Sequence, residues 1–189
     1  MKRIALHICC APCAVHTTEH LSNEGYDVVG FWYNPNIHPY VEFVKRLFSL
    51  KKFSDRTGVP VIYDESYDLD DFLRNISDNT EEPFRCMKCY AMRLSRVAEM
   101  ARDEGLGYFT STLTVSPYQD HNIIKKIGKE VGEKHGIEYI YFDFRDGFRE
   151  GQRKAREMGL YMQKYCGCIF SERDRFMDMT TEKIIKKFG

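Results

Sequence analysis

The chain has 189 residues, 43% hydrophobic and 14% aromatic, which suits one globular domain with a sizeable core and excludes a disordered segment. Its 28 basic residues are matched by 28 acidic ones, so no overall field draws it to nucleic acid or membrane, and a polyanion partner must use a local patch. No run approaches the ~18 apolar residues of a membrane span, and the first apolar run is too short for a signal-peptide core, so the chain is expected in the cytoplasm.

Ile4–Cys9 predicts a buried first strand, and Ala14–Asn23 a helix stopped by Gly25. Val28–Tyr33 is continuous in apolar character, as a strand covered on both faces should be. Asn34 to Asn36 form a turn. Tyr40–Arg56 follows as a helix with Val41, Val44, Leu47 or Phe48, and Leu50 on its inner face. Val59–Tyr63 predicts a third strand and Asp68–Ile76 a short helix. After a polar loop, a long helix runs from about Met87 to Glu104, then a strand at Tyr108–Leu113 and a helix at Gln119–Lys134. Ile137–Phe144 predicts the fifth strand. This alternation argues for βαβ units, hence an α/β fold with a parallel five-stranded sheet and helices on both faces. The tail holds helices at Phe148–Met158 and about Ser171–Lys187 and no sixth strand. Residues 1–145 are therefore read as the α/β domain, and 146–189 as a helical extension folded back over the strand ends.

Seven cysteines fall into three groups: Cys9, Cys10 and Cys13 after the first strand, Cys86 and Cys89 at a helix start, and Cys166 and Cys168 in the tail. In the cytoplasm, such spacing reads as metal binding or redox chemistry rather than as a disulfide framework, and an odd count agrees. In open α/β sheets ligands sit beyond the carboxyl ends of the strands, so the first group stands where a phosphate loop usually does. Proline there removes a donor, and cysteine supplies a soft ligand. One of the three, Cys9 above all, is also readable as a small core residue. Thiolates at a helix start gain from its N-terminal field, and Gly167 gives the tail pair freedom to turn inward. Seven thiols exceed the four of one zinc or one iron–sulfur cluster, so either three are not ligands or two sites lie side by side. His7, Asp120, His121 and Asp143, at strand ends or turns, are candidates to complete a second site.

The first strand, loop and helix resemble the start of the HUP-like class (PP-loop and adenine nucleotide alpha hydrolase-like proteins), with the nucleotide loop replaced by thiols. LHICCAPC, YNPNIHP at Tyr33–Pro39, RCMKCYAMRL at Arg85–Leu94, TSTLTVSPYQDH at Thr110–His121, DFRDGFREG at Asp143–Gly151 and YCGCIFS at Tyr165–Ser171 resemble, in order, the blocks of the epoxyqueuosine reductase QueH family. The resemblance covers nearly the whole chain. It implies an oxidoreductase that converts the epoxide of epoxyqueuosine at the tRNA wobble position to the alkene of queuosine, the last step of queuosine biosynthesis. It also implies a [4Fe-4S] cluster, an adjacent mononuclear iron and no corrinoid. The reaction consumes two electrons and two protons and releases water. Side chains do not supply low-potential electrons, so a cluster fed by an external low-potential donor must. An iron with an open position would hold the epoxide oxygen as its C–O bond breaks.

On this reading Cys10, Cys86, Cys89 and one of Cys166 and Cys168 hold the cluster. Cys9, Cys13, the other tail cysteine and an aspartate hold the second iron. Tyr118, Asp120 and His121 are the candidate proton donors. Arg145, Arg149, Arg153, Lys154 and Arg156, just before the last cysteine pair, are the candidate tRNA contacts, and Lys125, Lys126 and Lys129 form a weaker group. Phe31 and Trp32 read as sheet core rather than as a base-stacking platform; Tyr33 stays open to either role. Three other readings stand beside this one. A non-catalytic zinc- or iron-thiolate module that binds RNA would be colourless if it held zinc. A PP-loop tRNA sulfur-insertion enzyme would bind ATP. A dithiol oxidoreductase would stay active without metal.

Overall fold

A computed structural model describes residues 2–188. Five strands, β1 (Lys2–His7), β2 (Tyr26–Trp32), β3 (Val61–Tyr63), β4 (Tyr108–Ser111) and β5 (Glu138–Tyr139), form one all-parallel sheet in the order β3-β2-β1-β4-β5. This is the HUP-like α/β arrangement expected above. The strand order reverses between β1 and β4, which opens a crevice beyond their carboxyl ends.

Alternate strand residues serve opposite faces. Ile4, Leu6, Val28 and Trp32 pack with α1 (Ala11–Asn23), α2 (Tyr40–Thr57) and α6 (Phe148–Glu157). Ala5, Val29 and Phe31 pack with α4 (Phe84–Asp103) and α5 (His121–His135). Each of the larger aliphatic and Phe side chains among them contributes roughly 1.5–3 kcal/mol when fully buried. The remaining α-helices among the described residues are α3 (Leu69–Ile76), α7 (Ile169–Phe176) and α8 (Thr181–Phe188).

Several boundaries differ from expectation, for identifiable reasons. The first helix starts at Ala11 rather than Ala14, because Cys10 takes an extended capping conformation and Pro12 fits the first turn. The fourth starts at Phe84, directly after Pro83, so Cys86 and Cys89 lie inside it. Pro60, with no N–H to give, shortens β3, although its carbonyl still accepts from Gly30 (2.8 Å). The fifth strand is two residues long. Beyond it Phe142 and Phe144 leave the sheet edge, stack on each other at 5.4 Å and pack on His20 of α1. The expected last helix is two, α7 and α8, separated by a turn at 177–180.

Helix α2 is turned relative to the sequence reading. Val41, Val44 and Phe48 face solvent, Phe48 at 70% exposure. Its buried face is Phe43, Leu47, Leu50 and Phe53, together with the polar Glu42, Arg46 and Ser49. Those polar residues hold the tail in place, as described next.

Candidate metal centre

Cys9, Cys10 and Cys13 sit at the β1–β4 crevice. Cys9 lies just past β1, Cys10 precedes α1, and Cys13 is one turn on, so the strand-to-helix junction alone brings the three together. Their sulfurs all lie within 4.8 Å of one another, Cys10 to Cys13 at 3.1 Å and Cys9 to Cys10 at 3.7 Å. Thr112, just past β4, closes the crevice: its hydroxyl accepts from the Cys9 N–H (3.0 Å) and donates to the Cys9 sulfur (3.2 Å). Hydrogen bonds from Cys10 and Cys13, with help from Arg93 and Thr112, hold the Cys9 thiol well below its usual range. Burial raises that of Cys10, and hydrogen bonding with its two neighbours raises that of Cys13. Hydrogen bonds from its neighbours thus converge on the Cys9 sulfur.

The other four thiols line a separate cavity of about 170 Å³. Cys86 and Cys89 come from the first turns of α4, and Cys166 and Cys168 from the tail. Cys168 caps α7, accepting the Ser171 N–H at 3.3 Å. Among the described residues no three of these four sulfurs close to within 4.8 Å, unlike the first group. Burial pushes the Cys86 and Cys89 thiols up. All seven cysteines are free.

The tail reaches this cavity through buried polar clamps. Arg46 is 1% exposed; it pairs with Glu42 (2.7 Å) and donates to the carbonyls of Tyr165 and Cys166, each at 2.9 Å. The Tyr161 hydroxyl donates to the other Glu42 oxygen (2.6 Å). Gly167, at φ +141°, passes so close that an added Cβ would lie 3.0 Å from Asn36 and 3.1 Å from Ile37. Its carbonyl accepts from His38 N–H (2.8 Å). Arg85 pairs with Glu82, just before α4, and ties α4 to α7 through Asp174, both at 2.6 Å.

Arg93 lies between the two thiol groups. It donates to Asn34 Oδ1 (2.9 Å), approaches His7 Nε2 (3.4 Å) and reaches the Cys89 sulfur (3.8 Å). His7 is buried, and burial, with Arg93 beside it, lowers its pKa to about 3, so its ring is neutral. Its Nδ1 pairs with Ser111 (3.0 Å).

The remaining expected residues divide. Tyr118, 76% exposed, lines both the four-thiol cavity and an open cleft of about 620 Å³ above the first group. Cys166 also lines both. Asp120 borders the cavity while capping α5 through the Ile123 N–H (3.0 Å). His121 lines neither space; its ring is held by the Ser116 carbonyl (2.9 Å) and the Tyr141 hydroxyl (3.0 Å). Asp143 pairs with Arg145, away from the thiols. Arg153 is bridged to Glu150 and Glu157, Lys154 to Glu19 and Arg156 to Gln152, so much of that basic group is internally compensated. Arg149 is exposed. Lys126 pairs with Glu130 and Lys125 lies over Tyr141; Lys129 is exposed. Cys10 lies with Cys9 and Cys13 and is not among the four thiols that line the smaller cavity.

Sequence reasoning missed Arg46, Arg85, Arg93 and Asn34. A signal existed for two of them. Arg93 follows Cys89 by one helical turn on the face of Tyr90, Leu94 and Val97, and Arg46 follows Glu42 by one turn on the face of Phe43 and Leu50.

Fold and site together define a HUP-like α/β protein whose sheet crevice presents thiols in place of a phosphate loop. The chain belongs to the QueH family, a family of oxidoreductases: the family model described as "Epoxyqueuosine reductase QueH" matches residues 4–174. It is similar to the epoxyqueuosine reductase QueH of Dehalococcoides mccartyi, 34% identical over 92% of this chain and 94% of that one. The protein of the same name from Thermotoga maritima is 34% identical over 93% of both chains. A solved Bordetella bronchiseptica enzyme, WbmH with NAD+, overlaps 74% of this chain and 54% of its own at a TM-score of 0.35 and 17% identity, too slight a likeness to argue from. No described helix is long and apolar enough to cross a membrane.

Proposed function

We propose that this enzyme reduces the epoxide of epoxyqueuosine in tRNA to the alkene of queuosine, taking up two electrons and two protons and releasing water. The observation that carries the reading is the division of the thiols into a tight three and a wider four that share a wall at Cys166. Three sulfurs closing on one point suit a single ion with an open position. Four sulfurs spread around a void suit a cluster whose several irons each take one thiolate. Cys86, Cys89, Cys166 and Cys168 would thus hold a [4Fe-4S] cluster, and Cys9, Cys10 and Cys13 a mononuclear iron. When bound, these groups supply single electrons at low potential and a Lewis acid for the epoxide oxygen.

The chain's own residues bind and orient. The open cleft has room for a nucleoside, with the rings of Tyr118 and Phe148 edge-to-face at 6.2 Å at its mouth. Lys164, Arg175 and Lys187 line it and are placed to meet phosphates. The exposed arginines of α6 would extend that contact rather than lead it. Tyr118 is the proposed proton donor, since its position borders both spaces; Asp120 serves it by setting the start of α5. His121 holds the loop between them. The electron donor is an external low-potential protein or reagent, and the setting is the reducing cytoplasm, where seven free thiols persist.

The test is anaerobic reconstitution with iron and sulfide, followed by incubation with epoxyqueuosine-containing tRNA under a strong reductant and mass analysis of the nucleosides. Conversion to queuosine, with iron in excess of a four-iron cluster, is expected. A colourless chain that binds zinc and leaves the epoxide intact would overturn the proposal.

A further inference from the structure

Three arginines of this chain are buried, and two of them have carboxylates. Arg46 pairs with Glu42, and Arg85 pairs with Glu82 and Asp174. Arg93, 1% exposed, has none within ion-pair distance among the described residues. Its partners are an amide oxygen, a neutral imidazole and the Cys89 sulfur. A guanidinium stays charged even here, and a lone charge withdrawn from water is among the costliest features a fold can carry. The structure offers one source of compensation. Arg93 touches Cys89 of the four-thiol group and lines the cleft beside Cys9, Cys13 and Cys166.

The geometry points to Arg93 as the counter-charge shared by both thiol groups, a positioning residue that stabilises their anionic sulfur and sets the reduction potential of the centre they hold. This rests on the metal-centre reading above. Adding an electron makes such a centre more negative, so a fixed cation alongside favours its reduced form and raises its potential. The guanidinium fork also locks direction: one arm holds Asn34, whose amide donates to the Ile8 carbonyl (2.9 Å) at the end of β1, and the other faces Cys89. The cation is thereby pinned to the sheet end through Asn34.

The test compares anaerobically reconstituted wild type, Arg93→Gln and Arg93→Lys by iron and sulfide per chain and by a redox titration followed by electron paramagnetic resonance. Arg93→Gln should titrate at a more negative potential, and Arg93→Lys, which keeps the charge, close to wild type. Loading of the Lys variant but not the Gln variant supports the same conclusion. A fully loaded Arg93→Gln with the wild-type potential would overturn this inference alone. Equal loss of iron from both variants would assign Arg93 a merely structural role and also overturn it. A wild type that takes up no iron would remove the functional reading and this inference together.

Discussion

Cys9, Cys10 and Cys13 are delivered by a single strand–helix junction, whereas Cys86, Cys89, Cys166 and Cys168 come from two stretches that meet because the tail is clamped to α2. The first group needs only β1, the turn before α1 and Thr112 across the crevice. The second needs a buried ion pair, an unusual glycine and two carbonyl contacts from Arg46. Local chain geometry thus secures the tight group, and long-range packing the wide one. Each should be separable from the other by mutation.

The largest effect is expected at Arg46. Arg46→Met leaves Glu42 buried without its cation and releases the Tyr165 and Cys166 carbonyls, a loss of about 3–5 kcal/mol. Urea denaturation should show it, and iron per chain should fall to what the first group holds; an unchanged midpoint and full iron would erase the distinction. Gly167→Ala comes next. At φ +141° and with Asn36 and Ile37 in the way, it should cost on the order of 1–3 kcal/mol and loosen the tail without touching the first group. Cys10→Ala works in the opposite sense. It should lower stability by only about 1 kcal/mol, yet remove the single iron and abolish turnover while the four-thiol absorption persists. Loss of the cluster spectrum in that variant would show the two groups to be one.

A change of pH should give the smallest effect and reach the tail specifically. Burial lowers His38 from 6.5 to about 4, and its backbone joins the tail through Gly167 and Tyr165. The unfolded chain therefore binds the extra proton first as pH falls, so this stability is complete above about 6.5 and declines toward 4. In the reduced, metal-free protein the urea midpoint should be lower at pH 5 than at pH 7. The difference should shrink in His38→Gln; if it does not, His38 is not responsible. His7 contributes in the same direction.

The layout of the sheet was legible because buried parallel strands write themselves as apolar runs, such as Val28 to Trp32. What the runs did not reveal is where a strand gives up pairing. Phe142 and Phe144 look like strand residues, yet they gain more by stacking on α1 than by pleating at an edge. Helix α2 misled for a related reason: Val41, Val44 and Phe48 are apolar but face outward, because the inner face is taken by the Glu42–Arg46 clamp. The thiols stand out by residue type, but their grouping depends on how far the tail folds back, which spacing along the chain does not encode. Arg93 left only a positional trace, on the α4 face of Tyr90, Leu94 and Val97, and its contacts show that it points inward.

Cys166 is exposed, while Cys89 and Cys168 beside it are buried and Cys86 is half-covered. Peroxide or dissolved oxygen will meet that sulfur before its companions, and oxidation beyond the sulfenic state is not reversed. If a nucleoside occupies the cleft as proposed, it covers the side from which oxidants reach Cys166.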